Sequence, residues 1–69
     1  MRKKFSLVGV DGNPFNVMAY VKTAMREAGF SREEMSEYVE DGVRGDYDRL
    51  LILSEEMIER CNDALGLDD

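Results

Sequence analysis

Residues 28–35, Ala28-Gly29-Phe30-Ser31-Arg32-Glu33-Glu34-Met35, end one helix and begin the next within a single short stretch. Gly29 can adopt the left-handed backbone conformation that ends a helix. Ser31 can cap the following helix, and Glu34, three residues later, can return the hydrogen bond as a capping box. This stretch predicts two helices joined by a tight turn.

A first helix is predicted upstream of this turn. Asn13 is a favourable N-cap, and Pro14 fits the first helical position, where no backbone donor is needed. From about Pro14 to Ala28 the apolar residues fall on one arc at about 100° per residue, which is typical of an amphipathic helix. The expected inner face consists of Val17, Met18, Val21, Ala24, Met25 and Ala28.

Two more helices are predicted downstream. The second is expected to run from Arg32 to about Asp41, with residues 42–45 as the next connection because they begin with a glycine stop. The third begins at the N-cap Asp46 and ends at Gly66. Its predicted inner face comprises Tyr47, Leu50, Leu51, Ser54, Met57, Ile58, Cys61 and Leu65, whereas Ile52 and Leu53 are placed outside it.

The fold class that these elements predict is all-α. We expect a single domain, with a small three-helix bundle over residues 13–66 and an N-terminal arm and turn over residues 1–12. Residues 5–10, Phe5-Ser6-Leu7-Val8-Gly9-Val10, have the composition of a strand, but no second strand-like run exists to pair with them. Because backbone groups need partners, this arm must pair with another chain or lie extended over the helices.

Composition limits the partners and the setting. The chain has a net charge of −6, with +3 in residues 1–30 and −9 in residues 31–69. An acidic chain repels phosphate backbones, which disfavours direct nucleic-acid binding. No stretch approaches the roughly 20 apolar residues of a membrane helix. Cys61 is the only cysteine, so we expect a reducing, cytoplasmic setting and a buried, inert thiol.

The chain offers little for catalysis, a cofactor or a metal. It has no histidine, which is the commonest general base and metal ligand. Residues 10–14 lack the glycine repeat and the lysine of a phosphate loop. Calcium-loop spacing fails whether it is started at Asp41 or at Asp46. We therefore expect a protein that is not an enzyme, with no catalytic, cofactor or metal site.

Apolar residues outside the predicted inner faces are the best candidates for an interaction surface. Residues 50–53 give four successive apolar side chains, and a surface helix would not leave all of them to water. Either the arm or a second copy of the chain is expected to cover them. The predicted interaction surface consists of Phe5, Leu7, Tyr20, Ile52 and Leu53.

These observations favour a non-enzymatic protein-interaction module that binds an unidentified protein partner or forms a homodimer. The alternative is an acidic regulator or decoy that binds a basic, nucleic-acid-binding protein through residues 31–69. Salt distinguishes the two, because affinity between charged surfaces falls steeply with salt whereas an apolar interface is nearly insensitive to it.

Two motifs resemble those of a group of short, uncharacterised bacterial and phage-type proteins. One is Val10-Asp11-Gly12-Asn13 followed by Phe15, and the other is Gly45-Asp46-Tyr47-Asp48 followed by Leu50-Leu51. Pro14 departs from that pattern, where a small residue follows the asparagine. The resemblance implies a single-domain protein with its own reading frame and transfers no activity.

A looser resemblance covers about residues 17–60. Ubiquitin-associated-type three-helix domains also place a Gly-Phe turn after the first helix and a Gly-Asp turn before the third, as Gly29-Phe30 and Gly45-Asp46 do in this chain. It implies a three-helix fold, and the arm at residues 5–10 is additional to it.

Overall fold

A computed structural model describes residues 4–67 and contains three helices joined by short connections. Helix α1 spans Pro14–Glu27, α2 spans Arg32–Arg44 and α3 spans Tyr47–Leu65. Within residues 4–67 no strand is formed, so the predicted all-α three-helix bundle is confirmed. None of the helices in this part of the chain is long and apolar enough to cross a membrane.

The three helices begin at the predicted N-caps. Asn13 caps α1 by accepting a hydrogen bond from the N–H two residues further on, at 2.9 Å. At the start of α2, Ser31 Oγ accepts from the Glu34 N–H, and the Glu34 carboxylate accepts from the Ser31 N–H, both at 3.2 Å. Asp46 caps α3. These side chains satisfy backbone donors that have no partner within the helix.

Left-handed glycines end α1 and α3. Gly29 has a φ of 86°, and its N–H donates to the Arg26 carbonyl while the Phe30 N–H donates to the Met25 carbonyl. This pair of bonds is a Schellman motif, which satisfies the last carbonyls of a helix. Gly66 ends α3 in the same way with a φ of 68°. The stops predicted at these two glycines are confirmed.

The predicted end of α2 at Gly42 is wrong, because α2 continues to Arg44. Gly42 is buried inside the helix, where a Cβ atom would lie 2.8 Å from Leu50 Cδ1 and 3.8 Å from Met18 Sδ. The absent side chain lets α2 approach the other two helices closely. The connection between α2 and α3 is therefore limited to Gly45 and Asp46.

The hydrophobic core lies where the inner face of α1 meets α2 and α3. Of the apolar residues predicted on the inner face of α1, all but Ala28 are buried, and Ala28 packs against the core while partly exposed. Cys61 on α3 is fully buried, as predicted. The buried hydrophobic residues are Val17, Met18, Val21, Ala24, Met25, Tyr38, Leu50, Ile58 and Cys61.

A polar pair inside this core joins α2 to α3. The Tyr38 hydroxyl lies 2.6 Å from Ser54 Oγ, and Ser54 is fully buried. Burial raises the pKa of the Tyr38 hydroxyl above its usual value of 10.0, and the hydrogen bond with Ser54 offsets part of that rise. The pair fixes the position of α2 against α3, because each hydroxyl satisfies the other away from water.

We expect Tyr38→Phe to lower the free energy of unfolding by about 1–2 kcal/mol, because it leaves Ser54 Oγ without its buried partner. Removing both hydroxyls in Tyr38→Phe with Ser54→Ala should cost less than the sum of the single changes. Urea denaturation followed by circular dichroism measures all three variants. Strict additivity would contradict coupling between the two hydroxyls.

Candidate interaction surface

The N-terminal arm, residues 4–12, is attached to α3 by one side-chain amide. The Phe5 N–H donates to Asn62 Oδ1 at 2.7 Å, and Asn62 Nδ2 donates to the Phe5 carbonyl at 2.9 Å. The amide of Asn62 thus supplies both the acceptor and the donor that a neighbouring strand would supply. This pair satisfies the backbone of Phe5 without a second strand, and within the arm the Val10 N–H donates to the Leu7 carbonyl at 3.1 Å.

The arm also contacts α1 through Tyr20. The Ser6 N–H donates to the Tyr20 hydroxyl at 2.9 Å, and the Phe5 and Tyr20 rings meet edge to face with centroids 6.1 Å apart. Edge-to-face aromatic pairs are favourable beyond the area that they bury. Phe5, Leu7 and Val10 all pack against the core while remaining partly exposed. The arm therefore lies over its own helices, as predicted for one of its two arrangements. The expectation that it is extended is wrong for residues 7–10, which form a turn: the Val10 N–H donates to the Leu7 carbonyl at 3.1 Å, and Gly9 has a φ of 86°.

The far end of the arm is tied to the start of α3. The Tyr47 hydroxyl donates to the Gly12 carbonyl at 2.6 Å. Since residue 5 is bonded near the end of α3 and residue 12 near its start, the arm and α3 run in opposite directions. This bond holds the Tyr47 ring at the surface. The prediction that Tyr47 lies on the inner face of α3 is wrong, because the residue is 40% exposed.

The five residues of the predicted interaction surface do not lie together. The structure brings Phe5, Leu7 and Tyr20 together beneath and within the arm, where they contribute to packing. The prediction that Leu53 lies outside the inner stripe of α3 is wrong, because Leu53 is partly buried and packs against the core. It lies three positions after Leu50, so the two share a helix face. Ile52 is 58% exposed on the opposite side of α3.

Exposed apolar side chains gather instead where the start of α1, the end of α2 and the start of α3 meet. Phe15 is 76% exposed and Val43 is 63% exposed, and both line a cleft of about 300 Å³ together with Tyr47. Met18 and Leu50 form its base. We call Phe15, Val43 and Tyr47 the junction patch.

Sequence reasoning missed the junction patch for local reasons. The predicted end of α2 at Gly42 leaves Val43 in a connection, and the apolar period of α3 places Tyr47 on its inner face. Phe15 lies beside the apolar arc of α1, and its position next to the arc was the available signal. A helix continuing through Gly42 would have placed Val43 on its last turn.

The only cysteine of the chain, Cys61, is buried in the core. Burial raises the pKa of the Cys61 thiol above its usual value of 9.0, and the positive charge of Arg60 offsets part of that rise. A raised pKa keeps the thiol protonated, which is the less nucleophilic form. Within residues 4–67, no group of three or more acidic or cysteine side chains is arranged to hold a metal ion.

Comparison of the chain with protein-family models, with curated proteins and with solved structures found no match. The resemblances drawn from its two motifs and from its turns therefore stay predictions.

We expect Asn62→Ala to lower the free energy of unfolding by about 1–2 kcal/mol, because the variant loses both hydrogen bonds to the Phe5 backbone. Asn16→Ala is the matched control, since Asn16 is an exposed asparagine on α1. Urea denaturation of both variants measures the difference. Equal effects of the two changes would show that the arm does not depend on Asn62.

We expect stability to fall as pH rises above about 9, since unfolded Cys61 then loses a proton that the folded thiol retains. The loss reaches at most about 1.4 kcal/mol per pH unit for this one group. Cys61→Ala should flatten the decline between pH 8 and pH 10 in urea denaturation. An unchanged slope in that variant would contradict the raised pKa.

Proposed function

We propose that this protein is a non-enzymatic protein-interaction module whose binding surface is the junction patch. The observation that supports this is the convergence on one cleft of three of the five exposed large apolar side chains of the described residues, whereas the other two, Val8 and Ile52, do not line that cleft. Contiguous apolar patches with polar surroundings mark interaction sites, whereas apolar side chains exposed singly need no explanation.

The junction patch suits a protein partner that inserts an apolar side chain. Tyr47 offers a ring whose position is fixed by its bond to Gly12, so little freedom is lost when a partner packs against it. Large aromatic residues around a cleft are the common anchors of protein interfaces. Because the cleft is lined mainly by apolar groups, we expect affinity there to change little with salt.

This proposal has two further parts: the protein is not an enzyme, and it is located in the cytoplasm. The chain has no histidine, and its only thiol is buried with a raised pKa, so it lacks an activated acid, base or nucleophile of the common kinds. A single reduced thiol without a disulfide partner supports a cytoplasmic location.

The alternative is an acidic regulator or decoy for a basic, nucleic-acid-binding protein. One observation supports it: α2 and α3 present their acidic side chains to solvent, including Glu33, Glu37, Glu55, Glu56 and Glu59. An interaction through these charges would weaken as salt is raised, and it would not depend on Phe15 or Val43.

A photoreactive benzoylphenylalanine at position 15 should form a discrete cross-linked product in the cells from which the gene derives. The same group at position 37, which is exposed on α2, should not form it. Val43→Ser should reduce the product, while the thermal unfolding midpoint should stay nearly the same because exposed substitutions usually change stability by less than about 0.5 kcal/mol.

Ile52→Ser is the matched control, since Ile52 is an exposed apolar residue away from the cleft. Loss of the product in Ile52→Ser but not in Val43→Ser would move the binding surface to α3 and contradict the proposal. Cross-linking from position 37 alone would favour the acidic alternative.

A further inference from the structure

A second cleft, between α1 and α2, combines cations with apolar side chains. It has a volume of about 720 Å³ and is lined by Lys22, Arg26, Phe30, Arg32, Met35 and Val39. Phe30, Met35 and Val39 pack against the core and remain partly exposed, so they form an apolar floor. We call this the cationic cleft.

The cations of this cleft are placed unfavourably for the isolated chain. Lys22 and Arg26 lie one helical turn apart on α1, where like charges repel. Arg32 is the first residue of α2, at the helix end where a positive charge is disfavoured. Within residues 4–67 no ion pair joins any of these three to an acidic side chain. An anionic group from another molecule would reduce the repulsion between Lys22 and Arg26 and would offset the positive charge of Arg32 at the start of α2.

The chain itself presents a surface of the complementary kind. On the outer side of α3, Ile52 is 58% exposed and is flanked by exposed carboxylates one turn away on either side. Residues separated by three or four positions share a helix face, which places Asp48, Glu55 and Glu56 around Ile52. We call these four residues the acidic face.

We propose that the cationic cleft binds the acidic face of a second copy of this chain. Ile52 would pack on the floor formed by Phe30, Met35 and Val39, and the carboxylates beside it would approach Lys22, Arg26 and Arg32. This is a helix-in-groove contact, with one apolar anchor and charged flanks. It is independent of the junction patch, with which it shares no residue.

This contact is heterologous, since the cleft and the acidic face are different surfaces of the chain. Each copy can therefore bind one neighbour at its cleft and another at α3, which gives rings or open chains. Glu40 also lines the cleft, and the net charge of −6 repels other copies. Both effects make the association weak, with a dissociation constant of about 0.1–1 mM.

A charge-reversal pair tests the proposal. The cleft variant is Lys22→Glu with Arg32→Glu, and the face variant is Glu55→Lys with Glu56→Lys. Light scattering of the wild type across a dilution series should show an average mass that rises above one chain as the concentration approaches about 1 mM. Each variant alone should remain monomeric, and an equimolar mixture of the two should associate again.

Net charge provides the internal control. The cleft variant changes the net charge from −6 to −10, whereas the face variant changes it to −2. If general repulsion governed association, the face variant would associate more readily than the wild type, and we expect the opposite. Circular dichroism of each variant checks folding. If the cleft variant fails to fold, Lys22→Gln replaces it, and if the face variant fails to fold, Glu56→Gln replaces it.

Three results would overturn the proposal. A wild type that stays monomeric at about 1 mM has no such contact. Variants that associate as well as the wild type would place self-association elsewhere. A mixture that stays monomeric, although both variants are folded, would show that the cleft and the acidic face do not meet.

Discussion

The reciprocal hydrogen bonds between the Asn62 side chain and the backbone of Phe5 determine how this small protein completes its fold. A segment without a neighbouring strand has backbone donors and acceptors that need other partners. One amide side chain provides both partners of the Phe5 backbone, at 2.7 and 2.9 Å. With the Tyr47 bond to Gly12 at the other end, the arm is held along α3 and its apolar side chains reach the core.

The attachment of the arm determines which apolar side chains pack against the core and which remain exposed to solvent. The arm brings Phe5 and Leu7 against the core and uses both the ring and the hydroxyl of Tyr20. For a chain of this length the added burial matters, because a domain of about 60 residues buries only about 60% of the surface that its unfolded chain exposes. Among the described residues, the large apolar side chains that remain exposed are those of the junction patch together with Val8 and Ile52.

Local signals in the sequence were sufficient for most of the fold. The caps at Asn13, Ser31 and Asp46 and the stop at Gly29 depend on residues within a few positions of one another, and each is confirmed. The buried face of α1 follows directly from its apolar period. These features could be predicted because the residues that interact to produce them are close together in the sequence.

The features that could not be predicted depend on contacts between distant residues. Asn62 and Phe5 are separated by 57 positions, and nothing in the local sequence links them. Gly42 reads as a stop unless the close approach of Leu50 is known. The junction patch exists because α2 continues past that glycine, so the error at Gly42 also concealed the surface that Val43 helps to form.

In this structure the arm docks on its own helices and leaves the junction patch exposed. An isotope-filtered NOE experiment on a mixture of labelled and unlabelled protein distinguishes this arrangement from docking on a second copy. We expect contacts between the Phe5 and Tyr20 rings within one labelled chain, and none between the arm of one chain and the helices of another. Contacts between the Phe5 ring of one chain and the Tyr20 ring of another would show that the arm docks on a second copy, and that its place in this structure is wrong.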